Sequence, residues 1–397
     1  MSDRDPMIVA AARTPFGKLG GSLSSVSAVG LGAHVIRVAL ERAGVAPDEV
    51  DQCVMGTVIT AGQGQIPARQ AALLAGIPSR VSSLTVNKVC ASSLKAVNLA
   101  CLLIRAGEAE VVVAGGMESM SQAPMLLPGM RRGVPMGHTT IYDSMLWDGL
   151  TCPIDDVPMG EHGTAVAAEL GVSREEQDGY ALLSQQRYES ARARGLIAEE
   201  LAPIEVPGKA GPVLVDRDEQ PRPDTSAEKL ARLKPVFGGP EGTVTAGNSP
   251  GINDGAAAIV IMSRGRAREL GVEALAQWLG YGESAADHPY LATVPATALT
   301  RVLDKTGGGL SAADLRVVEI NEAFASVVIT SSRMLELDLE RVNPNGGAIA
   351  VGHPVGASGA RILASCIGEL RRRGGGPGAA AICSGTAQGE ATLVEVA

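Results

Sequence analysis

The stretch Leu84-Thr85-Val86-Asn87-Lys88-Val89-Cys90-Ala91-Ser92-Ser93-Leu94-Lys95-Ala96-Val97 decides how this chain folds. Its first three residues read as an extended segment, whereas beyond Cys90 the apolar residues Leu94, Val97, Cys101 and Ile104 recur at helical spacing. Cys90 therefore falls at, or just before, a helix N-terminus at a strand-to-helix turn. There the helix dipole and free N–H groups favour a thiolate, and the Cys90 N–H can face an oxyanion. Cys101, further along the same helix, reads as ordinary packing. A cysteine flanked by small residues reads that way too unless other groups join it.

Working outward, short Val/Ile runs alternate with Ala/Leu-rich amphipathic stretches and 49 glycines, which predicts an α/β architecture with many tight turns. Two distant stretches repeat one order of elements. In the first, a helix ends near Gly44, a turn at Ala46 to Glu49 precedes a strand at Val50 to Val58, and a strand at Glu110 to Ala114 meets Gly115-Gly116. In the second, Gly307 to Asp314 leads into a strand at Leu315 to Ile320, and a late strand at Ala379 to Cys383 runs into Gly385. That order leaves internal duplication and the coincidences of any α/β chain both open. Between the halves, Ser121 to Gly251 is proline-rich, with a basic pair at Arg131-Arg132 and a helical run near Arg174 to Arg194, whose apolar face is read at Leu182, Leu183 and Tyr188. It reads as an inserted loop domain, a place where ligands are often held.

The 397 residues and 45% hydrophobic content suffice for two or three domains with sizeable cores. Six cysteines, Cys53, Cys90, Cys101, Cys152, Cys366 and Cys383, form no CxxC pair and there is no His-rich cluster. Neither disulfides nor a zinc site are expected, and a reducing compartment is. Asp3, Arg4 and Asp5 ahead of a short apolar run lack the form of a secretory signal, and no apolar stretch is expected to reach the ~18 residues that span a bilayer. The expectation is a cytoplasmic protein that does not bind membranes. A net charge of −9 and 3% aromatic residues argue against nucleic acid as a partner.

Three more constellations accompany Cys90. In Asn343-Pro344-Asn345-Gly346-Gly347-Ala348-Ile349-Ala350-Val351-Gly352-His353-Pro354-Val355-Gly356-Ala357-Ser358-Gly359-Ala360-Arg361, Pro354 biases His353 away from helical geometry and the glycines permit close backbone approach. His353 can accept a thiol proton or present Nε2–H to a carbonyl oxygen. His34, His138, His162 and His288 lack such a context. In Glu319-Ile320-Asn321-Glu322-Ala323-Phe324, at a strand end, Asn321 can hold a water or carbonyl. In Ala381-Ile382-Cys383-Ser384-Gly385, a second strand-end cysteine precedes a glycine with a free N–H. Two cysteines with a histidine make acid/base chemistry plausible.

With these motifs, with Gly115-Gly116-Met117-Glu118-Ser119-Met120, and with Ile8-Val9-Ala10-Ala11-Ala12-Arg13-Thr14-Pro15-Phe16-Gly17 near the start, the chain resembles the thiolases over nearly its whole length, and among them the acetyl-CoA acetyltransferases. The resemblance implies a duplicated, layered α/β/α/β/α core with an inserted loop domain. It would be divided as 1–121, completed by about 252–270, then 122–251 and 271–397. It implies an acyltransferase in which Cys90 carries the acyl group, His353 activates it, Asn321 and His353 form one oxyanion hole, Cys383 exchanges the α-proton, and the Cys90 and Gly385 N–H groups form a second hole. Leu150, Met159, Arg222, Ala246, Ser249, Ala323 and Phe324 would contact coenzyme A, as substrate or product. No cofactor or metal is expected, and the partners are CoA thioesters and further copies in a homodimer or homotetramer, the latter through Ser121 to Gly137.

Against the family's usual residues stand Thr386-Ala387 in place of two glycines, Pro250 in place of a serine, Pro158 in place of a histidine, Thr164 in place of an acid, and an atypical loop at Asp287 to Thr293. These bear on chain length and CoA affinity, which keeps a 3-ketoacyl-CoA thiolase of longer chains as the alternative. A decarboxylating condensing enzyme is disfavoured by Cys383, and an acyl-CoA-binding protein without catalysis by the four groups occurring together.

Overall fold

The structure, a computed structural model, describes residues 2–134, 136–208, 210–307 and 309–397, so Pro135 and Gly308, within two of the segments read above, lie outside the described residues. In chain order its main elements begin with strand β1 (Pro6–Arg13), helix α1 (Ala28–Ala43), β2 (Gln52–Gly56), α2 (Pro67–Leu74), β3 (Ser82–Val86), α3 (Ser92–Ala106) and β4 (Val111–Ser119). Two helices of the inserted segment follow, α4 (Met159–Glu169) and α5 (Arg174–Ala193), and the chain returns in β5 (Asn253–Ser263). The remainder is β6 (Ala276–Ala285), α6 (Val294–Lys305), β7 (Val317–Ile320), α7 (Ala325–Met334), α8 (Ser358–Arg372), β8 (Gly376–Ser384) and β9 (Gln388–Val396).

The strands run in the order β7-β8-β9-β6-β1-β5-β4-β2-β3, and the short strand Gly17–Lys18 adds to β5. The repeat suspected from the sequence is visible in this order. On one side, β2 lies parallel to β4, which pairs antiparallel with β5 and then β1. On the other, β7 lies parallel to β8, which pairs antiparallel with β9 and then β6. The halves meet through only two register pairs, Met7 with Gln277 and Ile8 with Ala276. Where β3 flanks β2, its counterpart is reduced to one bridge, Val318 to Val342.

Three buried clusters account for the layering. One packs α1 and α2 on the first half of the sheet, one sets α3 and α8 between the two halves, and one packs α6 and α7 on the second half. The apolar face read on α3 is fully buried: Leu94, Val97, Cys101 and Ile104 are 0% exposed. Each large apolar side chain so placed contributes about 1.5–3 kcal/mol. Contrary to the sequence expectation, Val89–Ala106 is long and apolar enough, by length and composition alone, to cross a bilayer. The reason is its position: a helix with half of the sheet on either side needs apolar residues nearly all round.

Local chemistry sets the boundaries. Ser27 caps α1 by accepting from the Gly30 N–H, and Gly44 ends it in the left-handed conformation at φ 64°. A capping box of Ser173 and Glu176 starts α5. Its buried face is Tyr180, Ala181, Ser184, Gln185 and Tyr188, with Leu182 and Leu183 only half-buried. The apolar count missed this because the face is largely polar and engages buried partners. The strand expected at Val50 to Val58 is shorter, and the one expected at Glu110 to Ala114 runs on through Gly115-Gly116 to Ser119, in register with β5 throughout. Those glycines are strand residues, not a turn. A Cβ on Gly116 would collide with the Gly356 carbonyl, so the bare strand is what lets the His353 loop lie on the sheet.

The inserted segment is locked to the second half by Glu322, which is 0% exposed. Its carboxylate accepts from Tyr180 Oη and Ser184 Oγ at 2.8 Å each, Asn343 Nδ2 at 3.1 Å and the Ile349 N–H at 2.9 Å. Removing the acceptor orphans buried donors at about 1–3 kcal/mol each. Glu322→Ala is expected to lower unfolding free energy by about 3 kcal/mol or more, and Glu322→Gln by less. Chemical denaturation measures this, and a loss no larger than at an exposed glutamate would contradict the lock.

Candidate active site

The strand-to-helix turn at Cys90 is built under strain. Val89, β-branched, adopts φ 44°, a left-handed conformation costing about 1–3 kcal/mol and held only by its surroundings. Asn87 Oδ1 accepts from the Val89 N–H at 3.0 Å, and Ser92 Oγ bridges by accepting from the Lys88 N–H at 2.9 Å and donating to the Val89 carbonyl at 2.6 Å. Beneath the turn, Lys88 Nζ is anchored at 2.7 Å to both Glu283 and Glu390. No side chain caps α3; the Ala91 and Ser92 N–H groups at its start donate instead to the Lys88 and Val89 carbonyls, at 3.0 Å each, which closes the turn.

The thiol itself departs from the sequence expectation. Burial pushes Cys90 up to about 12, against the opposing pull of its own N–H, with Glu118 raising it and the Gly385 N–H lowering it. Desolvation thus outweighs the helix terminus, and the resting group is a thiol. The same two N–H groups, Cys90 and Gly385, both face the sulfur, which is the arrangement an oxyanion on a bound acyl group needs.

His353 lies in the same cavity and is 7% exposed. Burial, reinforced by the positive charge of Arg361, lowers it to about 3, so it is neutral at rest. Its tautomer follows from a proton count. Ser358 Oγ donates its one proton to the Pro354 carbonyl at 3.0 Å and lies 2.6 Å from His353 Nδ1. The assignment that satisfies both contacts has Nδ1–H donating to Ser358 Oγ, which leaves the Nε2 lone pair for a proton. The backbone is held as well: the His353 N–H donates to Asn253 Oδ1 at 2.9 Å, and Asn253 Nδ2 donates to the Gly17 carbonyl at 2.9 Å. Asn321 Nδ2 is 3.5 Å from His353 Nε2, and its buried Oδ1 has no partner.

Cys383, the last residue but one of β8, is 1% exposed, its thiol raised by burial and then by Cys90. Next to it the β8–β9 connection bends through Thr386 at φ 56° and Ala387 at φ 48°, where glycine would be unstrained. Thr386 Oγ1 bonds the Gly385 carbonyl at 2.6 Å, and the Ala387 carbonyl accepts from the Ala286 N–H at 3.0 Å.

A cavity of about 430 Å³ opens over these groups. Cys90, His353, Cys383 and Gly385 line it, as do Leu150, Met159, Ala246, Ser249, Ala323 and Phe324. Asn321 stands behind His353 rather than in the lining. Arg222 is also outside it, with its Nη1 bonded to the Ala246 carbonyl at 2.8 Å, so it is a support of the wall in this structure. Pro158 and Pro250 are lining residues, whereas Thr164 is buried with its Oγ1 accepting from the Val244 N–H at 3.2 Å. Sequence reasoning missed Ser358, Asn253, Lys88 and the cavity residue Phe237. Ser358 and Lys88 lay inside stretches already singled out, but nothing in their spacing gave a direction. A separate hollow near Asp3, Arg4, Asp48 and Glu49 is lined mainly by charged side chains and contains none of the residues read as catalytic.

Chemically, the arrangement offers a neutral thiol beside a neutral base, a second thiol, and two N–H groups converging on one sulfur. It suits transfer of an acyl group through sulfur and a proton exchange at an adjacent carbon. Comparison with known proteins agrees. Residues 6–265 match the model of the thiolase N-terminal domain and 272–396 that of the thiolase C-terminal domain. An acetyl-CoA acetyltransferase of Pseudomonas aeruginosa is 47% identical over 389 residues, covering 98% of each chain. One of Cupriavidus necator is 46% identical over 392 residues, covering 98% of this chain and 99% of its own. A probable acetyl-CoA acyltransferase of Staphylococcus epidermidis is 44% identical, again covering 98% of each.

Two measurements check the histidine. Ser358→Ala is expected to lower kcat on the order of 10- to 100-fold and displace the acid limb of its pH profile, with Ser358→Thr restoring most of it; unchanged kcat and profile would refute the tautomer assignment. Because the folded pKa lies below the unfolded 6.5, the stabilisation is complete above about pH 6.5 and is lost as pH falls toward 3. Wild-type unfolding free energy should thus fall faster than that of His353→Asn, by up to about 1.4 kcal/mol per pH unit in that window. Parallel curves would contradict it.

Proposed function

The chain belongs to the thiolase family, and from that premise we propose that it is an acetyl-CoA C-acetyltransferase, interconverting two acetyl-CoA with acetoacetyl-CoA plus CoA. The observation that carries this reading is the convergence of Cys90, His353, Cys383 and Gly385 on one largely apolar cavity. In our reading, the Cys90 proton passes to His353 Nε2 as sulfur attacks the thioester carbonyl, and CoA leaves with the proton. The acetyl group then rests on Cys90. Cys383 gives its proton to His353 Nε2 and, as thiolate, takes one from the methyl carbon of a second acetyl-CoA. A thiol whose burial has raised its pKa is a strong base once ionised. The enolate oxygen is held by His353, now carrying a proton on Nε2, and by Asn321 Nδ2, and the new carbon–carbon bond forms as Cys90 is released and takes the His353 proton. Thiolysis is the same path reversed, with CoA thiol attacking acetoacetyl-CoA. The tetrahedral oxygen is assigned to the Cys90 and Gly385 N–H groups, where losing one donor costs ~10²- to 10³-fold in rate.

The CoA assignments for Leu150, Met159, Ala246, Ser249, Ala323 and Phe324 are supported by their place in the lining. Arg222 would have to leave the Ala246 carbonyl to reach a phosphate. We propose a homotetramer or homodimer in the cytoplasm, acting in lipid metabolism without nucleic-acid or membrane partners. Supporting assembly, Leu84 on the sheet's edge strand β3 is 52% exposed, and Met125 and Ile141 are 66% and 61% exposed. The six cysteines are all unpaired, as a reducing compartment would keep them.

A second reading, a 3-ketoacyl-CoA thiolase of longer chains, is favoured by the two prolines in the cavity wall, Pro158 and Pro250, which remove hydrogen-bonding groups there. Steady-state thiolysis of acetoacetyl-CoA and 3-ketooctanoyl-CoA separates the two. The acetyl-specific reading expects kcat/KM higher for acetoacetyl-CoA by about tenfold or more, and the reverse preference would replace it with the second.

A further inference from the structure

No spacing in the chain pointed to a metal site, yet the fold gathers four ligand-bearing side chains at the rim of the cavity. Cys152 lies in a two-stranded hairpin, Thr151–Cys152 with Val157–Pro158, whose turn carries Asp155. His162 projects from the first turn of α4, and His288 arrives from the loop ahead of α6, in the other half of the chain. The ligand atoms of Cys152, Asp155 and His162 all lie within 4.8 Å of one another. Asp155 Oδ2 is 2.7 Å from His162 Nε2 and 3.3 Å from His288 Nε2, with the two imidazole rings 5.6 Å apart.

We propose that Cys152, Asp155, His162 and His288 bind a divalent transition metal of the zinc type, one per chain. The donor set is one thiolate, two imidazoles and one carboxylate, a tetrahedral complement for Zn²⁺, with bonds of about 2.0–2.3 Å. Such bonds place ligand atoms roughly 3.3–3.8 Å apart, so shifts of about an ångström bring the Cys152, Asp155 and His162 atoms to three corners of a coordination shell, with His288 Nε2, 3.3 Å from Asp155 Oδ2, beside them as the fourth. Cys152 is 0% and His162 4% exposed, and His162 Nδ1 is a buried ring nitrogen with no partner. An ordinary ion pair explains one histidine on Asp155. It does not explain two imidazoles and a thiol converging on the same carboxylate, since two charged imidazolium rings so close would repel. On binding, the Cys152 proton passes to solvent and the metal takes its place between sulfur and carboxylate.

The consequence is mechanical. Thr151, Pro158 and Met159 line the cavity from the hairpin and α4, and Leu291 lines it from the His288 loop. A metal would therefore tie two walls of the mouth together, across a junction otherwise made by side-chain contacts. The spacing Cys152, Asp155, His162 is unlike a finger motif, and His288 comes from far along the chain, which is why the site was illegible in the sequence.

The test uses the full-length protein stripped with a chelator and titrated with Zn²⁺ and, separately, Co²⁺. One equivalent of zinc should bind at micromolar affinity or tighter and raise Tm, and Co²⁺ should give a thiolate charge-transfer band with tetrahedral visible absorption. Cys152→Ser should abolish the band, and His288→Ala, at a partly exposed position and so safe for folding, should weaken zinc binding at least about tenfold. Substoichiometric binding, or binding and a band unaltered in His288→Ala and in folded Cys152→Ser, would overturn the proposal, the latter by moving the metal to other thiols such as Cys90 and Cys383. The readouts are independent of activity.

Discussion

Glu322 is the residue on which the rest of the site depends. Its buried carboxylate takes four donors from three separate places: α5 of the inserted segment, Asn343 and Ile349 on the way to His353, all around a strand end that carries Asn321 on one side and Ala323 and Phe324 on the other. No lysine or arginine meets it among the described contacts, so neutral dipoles hold the charge. Each donor is itself fixed by an element with other work to do. The inserted segment, the catalytic-side loop and the cavity wall are in this way referred to one point. A second carboxylate serves the other half: Glu118, 0% exposed and raised by burial to about 7, accepts from the Val58 and Ile59 N–H groups.

With the frame fixed, desolvation governs the chemistry. Cys90 and His353 are both driven toward their neutral forms, the thiol up and the imidazole down. A standing thiolate–imidazolium pair is disfavoured in such surroundings, and charge develops only when a substrate carbonyl is present to receive the electrons. The donors that meet it are backbone N–H groups already fixed by the strained Val89 turn and by the β8–β9 connection. The strain at Val89, Thr386 and Ala387 lies around this one sulfur, where left-handed backbone aims groups that a relaxed chain would turn away.

Much of this was legible in the sequence. The strand, turn and helix around Cys90, the order of elements repeated in both halves, and the strand ends at Asn321 and Cys383 all follow from periodicity and glycine placement. What stayed hidden was direction and distance. Ser358 stands five residues after His353 in a quoted motif, yet only the fold shows its hydroxyl spending a proton on Pro354 and so fixing the ring. The polar buried face of α5 defied an apolar count because Tyr180 and Ser184 serve Glu322. The helix-terminus argument for a Cys90 thiolate had the right sign but lost to burial. His162 and His288, unremarkable alone, meet at Asp155 only through tertiary structure. The apolar length of Val89–Ala106 reflects a helix enclosed by the two halves of the sheet rather than by lipid.

The central claim is that Cys90, and not the more deeply buried Cys383, carries the acyl group. Acid-quenching the protein after brief exposure to acetyl-CoA, followed by peptide mass spectrometry, tests it most directly. One acetyl group on the peptide containing Cys90, absent in Cys90→Ser and retained in Cys383→Ser, is the predicted result. Acetylation of the Cys383 peptide, or none on either cysteine, would contradict the account.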